Sequence, residues 1–147
     1  METIVRVTSL FIMSSALMFF SHCGDKPGPA PETDAKRHTQ LLTASPWNVQ
    51  TVLVDAVDKT AVYKNLKITF SATGFTTSNG GSVWPATGTW QFTDESGKLI
   101  SRSDGLLVDL TEISSTKLVF GFAWSKTTLD GGRIGSVAGQ HVFTFGK

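Results

Sequence analysis

From Trp47 onward the chain alternates apolar and polar side chains with a period of two, the signature of half-buried strands. Trp47 to Val54 predicts a first strand with Trp47, Val49 and Leu53 on one face. Leu66, Ile68 and Phe70 alternate with Lys67 and Thr69, and Phe75 and Thr77 follow Gly74. Gly88 to Thr93 alternates cleanly, with Trp90 and Phe92 pointing inward. Asp94-Glu95-Ser96-Gly97 has turn composition, and Leu99 to Arg102 returns from it. Leu106, Val108 and Leu110 share a face, as do Leu118, Phe120, Phe122 and Trp124. Asp130-Gly131-Gly132 marks a last hairpin before the strand Gln140 to Phe145.

This pattern amounts to about eight short strands, an all-β chain. The connections are short, and parallel neighbours would need crossovers of a dozen or more residues. An antiparallel meander is therefore expected, either as a closed up-and-down barrel or as a β-sandwich. Pairing of the last strand with the first would close a barrel and remove both edges. The only helical signal is one turn at Thr39 to Ala44. Along the strand Leu106 to Ile113, Asp109 and Glu112 fall on opposite faces by parity.

The segment before the strands has a different character. Val7 to Phe20 is the most apolar stretch and follows Arg6. Fourteen helical residues would span about 21 Å, short of a bilayer core of roughly 30 Å, so the layout fits a secretory h-region. Phe20-Ser21-His22-Cys23 then places the only cysteine directly after the run. This spacing resembles a bacterial lipobox, which implies acylation of Cys23 and a membrane anchor. Several acyl chains, at roughly 0.8 kcal/mol per buried CH₂, hold far more firmly than one. The stretch GDKPGPAPETDAKRHTQ, residues 24–40, has little to bury and predicts a solvated tether containing His38. The expected organisation is a lipoprotein signal peptide at 1–22, a flexible tether at 23–40 and a β domain at 41–147.

Composition narrows the chemistry. With 147 residues the chain suits one domain, and its net charge of +1 gives no nucleic-acid footprint. One cysteine excludes an internal disulfide, a cysteine-based zinc site and a redox pair. No HExxH, GxSxG or GxxxxGK[ST] motif occurs, so neither catalytic residues, metal nor cofactor is expected, and a non-enzyme is.

Four residues stand out as candidates for binding. His141 shares a face with Phe143 and Phe145, where an imidazole could orient a polar group or titrate near pH 6 to 7. Trp84 lies in the Gly- and Pro-bounded loop Asn79 to Ala86, free to cap a cavity, stack on a sugar or anchor a partner. Trp124 extends the aromatic stripe of Phe120 and Phe122 and could form a ligand wall, and Arg133 could pair with an anion. Each has a structural alternative, as core, lid or solvated charge.

Trp47, Lys67-Ile68-Thr69-Phe70 before Gly74-Phe75, and Gly88-Thr89-Trp90-Gln91-Phe92 before an acidic turn resemble the lipocalin-like domains of small Bacteroidetes lipoproteins. Leu110 to Leu118 and Ala138 to Phe145 are similar too. The resemblance implies a lipocalin-like barrel in the cell envelope, at the outer membrane, binding a small apolar or amphipathic ligand. The alternative is a filled module that meets a surface protein or glycan through its loops.

Overall fold

The computed structural model describes residues 28, 30–126, 128–130, 133–136 and 138–147, with side chains outside the 127–137 segment. Residues Pro31–Lys147 form one compact unit. Among the described residues it contains one α-helix, α1 (Asp34–Thr43), and then β1 (Trp47–Val54), β2 (Val57–Asp58) and a 3₁₀ turn at Thr60–Tyr63. There follow β3 (Lys67–Phe70), β4 (Gly74–Ser78), β5 (Thr87–Phe92), β6 (Leu99–Arg102), β7 (Leu107–Ile113) and β8 (Lys117–Trp124). A separate hairpin, β9 (Thr128–Asp130) with β10 (Arg133–Ser136), precedes β11 (Gly139–Gly146).

Every pairing is antiparallel, in the order β11-β8-β7-β6-β5-β4-β3-β1, with β2 added beside β1. β11 also pairs with β1, from Asn48 opposite Gly146 to Val54 opposite His141. The eight strands therefore close into a barrel rather than a sandwich, and closure leaves no long unpaired edge.

Two bulges change which side chains face inward. Gln50 is the extra residue where the β1–β11 register shifts between Val49 and Thr51. One inserted residue moves the following side chains to the opposite face. Val52 and Val54 are consequently buried and Leu53 is 37% exposed, against the inward placement that uninterrupted parity predicts. On β7, Thr111 is the extra residue between Leu110 and Glu112. Asp109 and Glu112 accordingly both lie exposed, not on opposite faces.

The ordered unit also begins earlier than the expected boundary at 41. Asp34 to Gln40, assigned to the tether, belong to α1. Thr33 caps the helix by accepting from the Lys36 N–H at 3.3 Å, Asp34 supports the first turn, and Pro46 prevents continuation. α1 covers the barrel end formed by the β3–β4, β5–β6 and β7–β8 turns. Ala35 N–H donates to Glu95 O at 3.1 Å, and His38 Nδ1 donates to Gly97 O at 2.9 Å. Gly97 permits this contact: its φ is +62°, and a Cβ there would lie 2.7 Å from Ala35 Cα. Leu42 is fully buried, and its carbonyl accepts from Trp47 Nε1 at 3.0 Å. His38 is thus a docking residue rather than a solvated one.

Candidate functional site

The barrel interior is filled by rings. On β11, His141, Phe143 and Phe145 point inward at alternate positions, and Phe122 comes from the paired position on β8. Phe122 and His141 stack with centroids 5.6 Å apart and planes 4° from parallel. Phe143 continues the stack between Phe122 and Phe145. Offset stacking of this kind adds to the area each ring buries.

Trp84 enters this core from the opposite side. The turn closed by Trp84 N–H on Gly80 O, 3.1 Å, folds the loop back into the barrel. A Cβ on Gly80 would collide with the Trp84 carbonyl, so glycine is required there. The indole meets Phe75, Phe122 and Phe143 edge-on and Phe120 at a tilt. It is 2% exposed. The structural alternative for Trp84 is a lid folded back on the core's end; the loop does fold back, but the indole lies inside the core among four phenylalanines.

Two polar groups are buried with the rings. Arg102 on β6 is 3% exposed. Its Cζ lies 4.7 Å from the Trp84 ring centroid and 5.7 Å from that of Phe75. One guanidinium nitrogen donates to Val83 O at 2.9 Å and another pairs with Asp104. Burial pushes the Arg102 pKa down while the Asp104 carboxylate pulls it back up. Arg102 therefore ties β6 to the Trp84 loop.

His141 forms the second polar contact. Its Nδ1 donates to Gly139 O at 3.1 Å, so in the neutral ring Nε2 accepts from the Tyr63 hydroxyl, 3.0 Å away. Burial pushes the His141 pKa below its ordinary value, opposed by the Gly139 carbonyl and by Asp55. The Tyr63 phenol is pushed up to about 12 by desolvation. Tyr63 is the chain's single tyrosine, so absorbance near the phenolate band reports it alone. Phenolate should form only toward pH 12 in the folded protein. In the unfolded chain it forms near pH 10, so this group's stabilisation should fall as pH rises above about 10. A spectrophotometric midpoint at the ordinary value in native protein would show the ring to be solvated.

Trp124 is half-buried and borders a cavity of about 220 Å³ with Asp104, Leu106 and Lys126. Arg133 lies at the start of β10, but its side chain is outside the described residues, as is Cys23 with the whole predicted signal segment. Among the described candidates, Trp84 and His141 are brought together through Phe122 and Phe143. Sequence reasoning missed Arg102, whose position on the inward face of β6, opposite Trp90, is the available signal. It also missed Tyr63, which sits in a turn with no periodicity.

A larger groove of about 540 Å³ runs beside β5 and β6 and is bordered by Thr39 of α1 and by the β3–β4 turn. Among the described residues, no group of three or more His, Cys, Asp or Glu could hold a metal ion, and no helix is long and apolar enough to cross a membrane. No family model matches the chain, and a search of curated proteins finds no significant match.

Proposed function

We propose that this chain is a lipid-anchored envelope protein, held at the outer membrane through Cys23, whose barrel is a non-catalytic interaction module. It acts through its outer surface and loops. The observation that carries this reading is the filled interior. Tyr63, Trp84, Phe120, Phe122, His141 and Phe143 are each at most 2% exposed and touch one another in one aromatic cluster. Eight strands enclose just enough space for side chains or one small ligand, and here rings take that space. This favours recognition on the outside over an apolar ligand held within.

A fluorescent fatty acid titrated into the protein should give no saturable one-to-one binding. Stoichiometric binding with quenching of the tryptophans would restore the interior-ligand reading. The anchor is tested separately. Cys23→Ala should abolish incorporation of labelled lipid in the host and release the protein from the membrane fraction. Lipid label on that variant would overturn the anchor.

A further inference from the structure

We infer that the groove beside β5 and β6 is a binding site for a neutral, polyhydroxylated ligand, a short oligosaccharide. The inference deepens the surface-module reading and rests on it. The groove owes its shape to a mismatch between neighbouring strands. β4 pairs with β5 only from Thr87 to Thr89, where the β3–β4 turn ends the overlap. Trp90 pins that turn: its backbone N–H donates to Thr73 O, and its indole N–H contacts Ser71 O and Gly74 O, each at 3.1 Å. Beyond it, Gln91 and Phe92 continue paired with β6 alone. The turn forms one wall, Thr39 of α1 another, and β5 with β6 the floor.

Chemistry of the lining selects the ligand class. Thr73, Thr89, Gln91 and Ser101 line the groove, and their side chains have no hydrogen-bond partner among the described residues. Hydroxyls and a carboxamide both donate and accept, which matches the hydroxyls of a sugar. Arg102 is the sole charged residue bordering the groove, and its guanidinium is buried, with its two terminal nitrogens held by Val83 O and Asp104 and its Nε enclosed without a partner. The groove therefore offers neither a free cation for phosphate or carboxylate nor an anion for an amine. Trp90 is 6% exposed and turned into the core, so it shapes the groove wall without offering a ring face, while the half-buried Phe92 borders the polar groups as apolar surface on which the C–H face of a sugar can pack. The volume lies within the roughly 300–1,000 Å³ usual for small-ligand sites. An open, uncharged and hydroxyl-rich groove is poorly suited to an apolar ligand, which would strand those groups without partners.

The test uses four neutral trisaccharides as probes: maltotriose, cellotriose, laminaritriose and chitotriose. Each is titrated into the protein with amide chemical shifts as the readout. At least one should give saturable shifts centred on Thr73, Gln91 and Ser101. Gln91→Ala, at an exposed position that leaves the core intact, should weaken binding about three- to tenfold. Ser101→Trp should abolish it by filling the groove, with an unchanged melting temperature as the folding control. No saturable shift with any of the four, or equal binding by both variants, overturns the proposal. Shifts induced instead by an extended peptide at the β5 edge also overturn it and would leave the surface-module reading standing. Fatty-acid binding inside the barrel would overturn that broader reading by itself.

Discussion

Trp84→Ala should lower unfolding stability by about 3–5 kcal/mol, the cost of removing a large ring from a packed interior. Trp84 sits in a loop bounded by glycines and a proline, where truncation would ordinarily be tolerated. Here its ring is the hub on which Phe75, Phe120, Phe122 and Phe143 converge. Its loss leaves a cavity and removes the surface over which Arg102 lies. Trp84→Phe should cost less, because it keeps part of the ring contact. Urea unfolding followed by circular dichroism gives the comparison. A change below about 1 kcal/mol for Trp84→Ala would place the indole outside the core, as a removable loop anchor.

Acidification from pH 7.5 to 5.5 should destabilise the protein through His141. Its folded-state pKa is depressed below 6.5 by burial, so the unfolded chain takes up a proton first. The contribution is fully present above pH 6.5 and is lost as pH falls toward the folded value. Protonation also turns Nε2 from acceptor into donor, which forces the Tyr63 hydroxyl to give up its present bond. The other titratable group acting on the ring, Asp55, partly offsets the loss by favouring the charged form. His141→Gln removes the titration and should flatten the urea midpoint across this range. A wild-type midpoint that stays level from pH 7.5 to 5.5 would contradict a buried neutral imidazole. Tyr63→Phe is the complementary change. It leaves a buried Nε2 without its donor and should cost about 1–3 kcal/mol at neutral pH.

The strand pattern was legible because each segment buries one face, and such a face writes a period of two into the chain. The β5, β8 and β11 faces can be read directly from Trp90 and Phe92, from Leu118 to Trp124 and from His141 to Phe145. The bulges were not legible. Gln50 and Thr111 are ordinary strand residues, and a bulge is defined by the partner strand's register, which no local pattern contains. Of α1 only the last turn, Thr39 to Ala44, was legible, because its one fully buried apolar residue is Leu42, while the earlier residues Asp34 to His38 meet the β5–β6 turn through a backbone N–H and an imidazole. The groove was invisible for a related reason. Thr73, Gln91 and Ser101 come from three strand-separated places and carry no shared motif.

By itself the sequence determined an all-β chain of short antiparallel strands and the inward faces of its aromatic stripes, since alternation and turn composition are local properties. Closure of the ring between β1 and β11, entry of Trp84 into the core and burial of Arg102 beside it were decided only in three dimensions. Each depends on which distant backbone or ring stands within a few ångströms, and packing sets that distance through contacts between residues far apart in the chain.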